Sequence, residues 1–566
     1  MAEFFIDFAA GSASGAGTEA DPWLLAPGQT GASSQPNYSI AAGSIYNIRN
    51  GTESNLSILV PANDLTYRGY GMAANVWAAT LPVRGSPWLL NTVRKVRQAG
   101  THEGMWRITI TTNATQGINN GGNKSRVVIE DCHVTCPQYV SEGALPGSCF
   151  YGAGSTTTAT DMTLRRCKAT GGLYGYNGYL KNPTLEWFHS TDPGEEGVAI
   201  LSQSSQTWNG GSPIDQAGNH NRLGSVDTML GICIERPGRR PAPNGAGDGL
   251  ELGAAQMIAG GPVHDSRMLA RQDLDTIYVD LPADAPKQFL KCYDGTGGIR
   301  IRNFHFTGIG SNSGVLMSVV RGSISAKYGY VRNTFAGGLT AFRASAEWDT
   351  MPCMTTGSRI NIEHVVHDTP NGVTGFFQWG GSGTTLGDID GTVTLRNNVS
   401  IGANNAASVL SYRGIYSAFE GSGGVLGANA SMIVENNLVL APGSAVPAVH
   451  LPTGGATNPS YVIRNNSFPP ESGFDVGFVA DGAPHTYTTL AAFQAAVTGA
   501  SANMSKTAAE TGVSLDNGFA LTESSPLVAA GVHAGYRRDP RGTPLWMPPA
   551  IGLYEYVRPR PARTLP

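Results

Sequence analysis

An aliphatic residue, a charge, then Asn, Asp or a substitute, then a small or apolar residue: this order of hydrophobic and polar positions recurs along the middle of the chain. It reads Ile129-Glu130-Asp131-Cys132, Leu164-Arg165-Arg166-Cys167, Ile301-Arg302-Asn303-Phe304, Val331-Arg332-Asn333-Thr334, Ile362-Glu363-His364-Val365, Leu395-Arg396-Asn397-Asn398, Val434-Glu435-Asn436-Asn437 and Ile463-Arg464-Asn465-Asn466. From Ile301 onward the aliphatic positions lie 30, 31, 33, 39 and 29 residues apart, the irregular period of a solenoid whose coils carry loop insertions. Each copy predicts a short strand with its aliphatic side chain inward, ending at a corner made by the amide. Between copies the chain is rich in Gly, Ser, Thr and Asn and has almost no apolar pattern at helical spacing, which argues against helix-pair repeats. A β-solenoid is predicted, in which the anchors Ile129, Leu164, Ile301, Val331, Ile362, Leu395, Val434 and Ile463 stack into an aliphatic ladder. The Arg or Glu beside each anchor falls on the outer wall, and Asn303, Asn333, Asn397, Asn436 and Asn465 are expected to bond side chain to side chain between coils.

Composition narrows the class. No charge run or Pro-rich linker divides the 566 residues internally, despite 74 Gly and 34 Pro, so one elongated body with end pieces is expected. The expected divisions are a cap with first coils over 1–110, a solenoid body over 111–475 with its largest insertion near 190–297, and a closing segment over 476–566. Only 14% of residues are charged and the net charge is −4, which supports neither a nucleic-acid stripe nor a polybasic membrane patch. No apolar run suits membrane insertion, and Met1 to Asp7 has no basic segment followed by an apolar one, so the standard secretory route is not expected. Seven cysteines form an odd set, with Cys132 and Cys167 at one repeat position and read as stacked core thiols.

The two ends carry a resemblance. The opening, Phe4 to Trp23, has an alternating strand, a Gly/Ser turn and the Asp21-Pro22-Trp23 entry to the next segment. Near the other end, Thr488 to Val497 reads as a short amphipathic helix with Thr at its start, followed by Ser525-Pro526-Leu527, Asp539-Pro540-Arg541-Gly542 and Ile551-Gly552-Leu553-Tyr554-Glu555. These phrases resemble the first and last segments of the pectate-lyase-like right-handed parallel β-helix superfamily, over roughly residues 3 to 556. The resemblance implies an all-β, single-stranded right-handed parallel β-helix with an N-terminal cap and a C-terminal capping segment containing a short helix. It says less about activity, because the superfamily holds lyases, hydrolases, epimerases and binding-only members. Without a leader segment, the resemblance leans towards the bacteriophage tailspike or tail-fibre type. That type implies a virion protein, released on host lysis, that trimerises, contacts other tail proteins and binds bacterial surface polysaccharide. The Arg/Pro-rich end, 557–566, reads as a disordered end or a docking peptide.

Glycoside hydrolysis needs two carboxyl groups at a defined separation. The leading cluster among 42 Asp and Glu is Asp248, Glu251 and Asp265, with Arg267 and Arg271 nearby. Asp248 and Glu251 are three apart and need a bend at Gly249 or Gly253 to converge; otherwise Asp248-Gly249 is a turn and Glu251 an outer-wall charge. Asp388, Asp390 and Glu420 are second-rank candidates. A lyase would use a base such as Lys168, Arg267, Arg271 or Lys291 beside a group that neutralises a uronate, though no spacing singles these out. Sugar rings pack on aromatic faces, which marks Tyr176, Tyr179 and Trp208, with Tyr174, Trp187 and Phe376 to Trp379, as groove candidates against core filling. The three tyrosines, set among glycines, are expected to be exposed. His364 and His367 point to opposite faces at strand spacing, so no metal site is expected, and no cofactor either. The expectation is a tailspike-like protein that binds surface polysaccharide and cuts it if catalytic, by hydrolysis rather than elimination. A non-catalytic structural or adhesive virion subunit and a free polysaccharide lyase or hydrolase are the alternatives.

Overall fold

The computed structural model describes residues 2–71, 104–112, 116–121, 124–137, 147–152, 160–178, 182–202, 226–238, 250–254, 271–281, 289–292, 298–308, 313–317, 323–333, 340–344, 357–369, 375–379, 390–402, 428–440, 447–451, 460–470, 473–476, 485–514, 517–539, 543–545, 548–552 and 554. The chain divides into two compact units, residues 1–81 with 91–322 and residues 82–90 with 323–566. Each is built of parallel coils.

In the first unit the strands Ile45–Arg49, Thr66–Tyr70, Val128–Glu130, Thr163–Arg165, Thr184–Glu186, Val226–Glu235, Arg271–Leu281 and Ile299–Gly308 pair in parallel, one coil apart. Their register stacks Tyr46, Tyr67, Ile129, Leu164, Leu185, Met229, Leu274 and Ile301, all at most 1% exposed. A second parallel sheet runs from Ile58–Leu59 through Phe150–Tyr151, Tyr176–Gly178, Val198–Ser202 and Leu250–Ala254 to Ser313–Met317. Between Glu186 and Ile301, where the sequence pattern falls silent, the strands Val226–Glu235 and Arg271–Leu281 continue the ladder.

In the second unit the equivalent ladder is Ala326, Ile362, Leu395, Val434, Ile463 and Ala500. The copy read at Val331 is therefore displaced: Ile362 pairs with Ala326, and Val331 pairs with His367 beyond the corner. The true copy, Ala326-Lys327-Tyr328, has a small anchor and an aromatic corner, so it escapes the pattern.

The corners explain the amide. Asp131, Arg166, Trp187, Thr276 and Asn303 in the first unit, and Tyr328, His364, Asn397, Asn436 and Asn465 in the second, all have φ between 51° and 60°. This left-handed conformation costs most residues roughly 1–2 kcal/mol and costs Asn and Asp least. Gly231 holds the same position with φ 70°, and a Cβ there would meet the Trp187 ring at 2.2 Å. The corner amides do not bond one another in a continuous ladder, although Asn303 donates to Asp275 on the preceding coil at 2.7 Å and Asn397 to the His364 ring at 3.4 Å. Asn436 and Asn465 instead donate to the carbonyls of Val532 and Ala530 in the closing segment, at 2.7 and 2.8 Å. The inward ladder is made one residue later: Asn398, Asn437 and Asn466 donate in turn to Asn437, Asn466 and Asn503, at 3.0, 3.0 and 2.8 Å. At that position the first unit carries Cys132, Cys167 and Phe188, all fully buried, and the two cysteines are free thiols. Outside, charges alternate between coils: Arg165 pairs with Glu130 and, at 2.6 Å, with Glu186, while Glu435 is held between Arg396 and Arg464 at 2.7 Å each.

At the opening, Trp23 is fully buried, stacks on Phe4 at 4.6 Å and donates its indole N–H to the Pro36 carbonyl. At the close, a helix spans Leu490–Ala496 with Thr489 as its cap, accepting from the Ala492 N–H at 3.2 Å. No helix among the described residues is long and apolar enough to cross a membrane.

Candidate functional site

Past each corner of the first unit the chain runs on as a second strand, and alternation sends every other side chain to the side away from the core, where His189, Cys233, Glu235, Tyr278 and His305 are nonetheless buried. Parallel register then turns this into rows. The first row is Arg107, His133, Lys168, His189, Cys233, Tyr278 and His305; the second, two residues on, is Thr109, Thr135, Thr170, Thr191, Glu235, Asp280 and Thr307. The intervening residues Val134, Ala169, Ile234, Val279 and Phe306 are fully buried and hold the sheet on the core. In the second unit the positions that match the first row carry Tyr330, Val366, Val399, Leu438 and Ser467, with no His, Lys, Arg or Cys among them, and Gly552 of the closing segment is placed against Leu438. A run of His, Lys, Arg and Cys is thus a property of this face and not of the repeat.

The face has a cationic end and an acidic end. At the cationic end neither Arg107 nor Lys168 has an ion-pair partner among the described residues, and the Nε of Arg107 is buried without a hydrogen bond. Between them His133 bonds Thr170 Oγ1 at 3.0 Å. Burial, with the charges of Lys168 and Arg107, pushes the His133 pKa down to about 3, so the ring is neutral at ordinary pH. Burial is also the main reason the Lys168 pKa is lowered; Glu235 opposes the shift, and Arg107 and Arg236 add to it. At the acidic end Nε2 of His189 lies 2.8 Å from Glu235 Oε2 and 3.0 Å from Thr191 Oγ1. Asp280 is in register beside Glu235, and Arg236, at the next corner, is forked onto Asp192 at 2.7 Å. The cationic end can hold an acid group, and the buried acidic end a proton or a cation.

The residues singled out from sequence are not gathered there. Asp248, Asp265, Arg267, Tyr179 and Trp208 lie outside the described residues, as do Asp388 and Glu420. Glu251 lies in the strand Leu250–Ala254 of the other sheet, with Ala199 and Lys291 as backbone neighbours. Arg271 begins a strand before the corner and pairs with Asp273 on the outer wall. Tyr176 is fully buried, which corrects the exposure expected from its glycine neighbours: its register position in the Tyr176–Gly178 strand faces the core. Tyr174 is half-buried and donates to Glu195 at 2.6 Å. Trp187 is a corner residue packed against Gly231, and Phe376 and Phe377 are core. His364 sits at a corner and His367 inside the core, so the two do not converge. Of the lyase candidates among the described residues, only Lys168 falls in the rows. The signal for the rest was a constant offset: four and six residues past Ile129, Leu164, Leu185, Met229, Leu274 and Ile301 lie the two rows.

No family model matches the chain, and no curated protein does. Solved structures with a similar course include lacto-N-biosidase of glycoside hydrolase family 136 from Eubacterium ramulus, at 9% identity, TM-score 0.37, and coverage of 82% of this chain and 67% of that one. Pectate lyase Pel9A gives 11% identity, TM-score 0.33 and coverage of 98% and 97%. PfbA, a surface adhesin of Streptococcus pneumoniae, gives 9% identity, TM-score 0.35 and coverage of 77% and 82%. At these scores nothing about activity passes from those proteins to this chain.

Proposed function

We propose that the protein binds an extended polysaccharide carrying acid groups along the outer face of its first unit. The observation that carries this reading is the pair of cations, Arg107 and Lys168, with no ion-pair partner among the described residues, set two coils apart around a neutral His133 and threonine hydroxyls. A half-buried ammonium whose pKa burial lowers is costly to keep charged, and an anionic ligand offsets that cost. Threonines one strand apart offer hydroxyl partners at a spacing of about 4.8 Å, which suits a chain of repeating sugars lying along the coils.

The finer reading is that of a tailspike-type virion protein, acting as a homotrimer on bacterial surface polysaccharide together with other tail proteins. It rests on the resemblance of the two chain ends. Light scattering tests its oligomeric part: a particle of three chains supports the trimer, and a monomer removes it. Cleavage by hydrolysis is proposed with Asp248, Glu251 and Asp265 as the carboxyl groups, and Tyr179, Trp208, Arg267 and Arg271 as sugar contacts.

Incubation with capsular polysaccharide and lipopolysaccharide from a bacterial panel tests the function. New reducing ends alone mark a hydrolase, and ultraviolet absorbance of a new double bond marks a lyase. Binding without either marks an adhesive subunit. The double variant Arg107→Ala, Lys168→Ala should fold normally and bind an acidic polysaccharide more weakly by about 100-fold or more, because two charge-assisted bonds at about 1.5–3 kcal/mol each are lost. Unchanged affinity, or a preference for neutral glycans, would refute the assignment of this face.

A further inference from the structure

We propose that the acidic end of the same face is a binding site for one divalent metal ion of the zinc class, held by His189, Cys233 and Glu235. The proposal does not depend on the glycan reading. A ring nitrogen of His189, the thiol sulfur of Cys233 and a carboxylate oxygen of Glu235 all lie within 4.8 Å of one another, and among the described residues no other three such groups come as close. The site is built by backbone register. His189 and Cys233 are direct neighbours on parallel strands, and Glu235 follows Cys233 by two residues, on the same face. Their side chains start from rigid sheet, and the three residues are 6%, 0% and 7% exposed.

The donor set decides the metal. One nitrogen, one sulfur and one carboxylate oxygen suit a borderline-soft divalent ion that takes four ligands; calcium and magnesium prefer oxygen alone. Around zinc at about 2.0–2.3 Å from each ligand, neighbouring donor atoms stand roughly 3.3–3.8 Å apart, so a side-chain adjustment of about an ångström closes the set. Three protein ligands leave a fourth position for water or a ligand atom. Asp280 stacks in register beside Glu235, Lys168 is the neighbour of His189 on the other side, and Arg236 is forked onto Asp192.

The test uses the full chain, stripped with a chelator and dialysed, then titrated with cobalt(II) and separately with zinc. One cobalt per chain is expected, with a thiolate-to-cobalt charge-transfer band and the intense visible bands of four-coordination. Cys233→Ser should remove the charge-transfer band, and Glu235→Gln should weaken zinc binding by at least about tenfold. X-ray absorption on the zinc-loaded wild-type protein needs no variant: it should show one sulfur at about 2.3 Å with nitrogen or oxygen at about 2.0–2.1 Å. Absence of binding by the wild-type chain, a zinc shell of sulfur alone, or a charge-transfer band that survives in a folded Cys233→Ser protein would each overturn the proposal. The same variants assayed for glycan binding separate the two readings, because loss of metal with intact glycan affinity leaves the cationic end standing.

Discussion

Replacing Leu395 with Asp should prevent folding of the second unit. Leu395 is fully buried and stacks between Ile362 and Val434 in the ladder. Losing its packing alone costs about 2–5 kcal/mol, and an unpaired carboxylate in the same place adds several more. The total stability of a protein is about 5–15 kcal/mol, so soluble expression should fall sharply and any recovered protein should lack cooperative unfolding. Its neighbour is a calibrated contrast. Arg396 lies on the outer wall with its Nε 2.7 Å from Glu435, but Arg464 holds the other oxygen of that carboxylate. Arg396→Ala should therefore cost about 1 kcal/mol or less. Equal tolerance at the two positions would mean that the register is wrong.

The second large effect is expected at Asn437. Its amide donates to the Leu395 carbonyl at 2.9 Å and to Asn466 Oδ1 at 3.0 Å, while its oxygen accepts from the backbone and side chain of Asn398, both at 3.0 Å. The residue is fully buried. Asn437→Ala strands several buried polar groups, at about 1–3 kcal/mol for each one left unpaired, so a loss on the order of 3–5 kcal/mol is expected. Urea unfolding should show a lower midpoint with little change in slope. A change within about 0.5 kcal/mol would mean that the inward amides are dispensable.

These two sites show what the sequence can and cannot reveal. Leu395 is legible because an aliphatic residue followed by Arg-Asn-Asn satisfies strand, wall and corner at once. Asn437 is harder: two amides in succession look alike, and only the structure shows that the left-handed φ turns the first outward to the closing segment and the second inward. The Val331 copy fails for a related reason. Ala326 and Tyr328 can fill an anchor and a corner in three dimensions without matching the commoner residues, and an aliphatic-Arg-Asn phrase five residues later imitates the motif. Leu185, Met229 and Leu274 were hidden because Trp187, Gly231 and Thr276 take the corner φ without being amides.

The outer face was less legible than the core because polar wall residues obey no hydrophobic pattern. His133, Lys168, His189 and Cys233 lie far apart in sequence and become neighbours only when coils stack in a fixed register. Local density of carboxylates instead drew attention to Asp248, Glu251 and Asp265. Counting from the anchors, and not along the chain, would have found the rows.

The most direct test of the account is a crystal structure of the full chain with an acidic oligosaccharide taken from whichever polysaccharide it binds. Sugar is expected along the face at Arg107, His133 and Lys168, with an acid group between Arg107 and Lys168. Sugar bound with Arg107 and Lys168 untouched would contradict it.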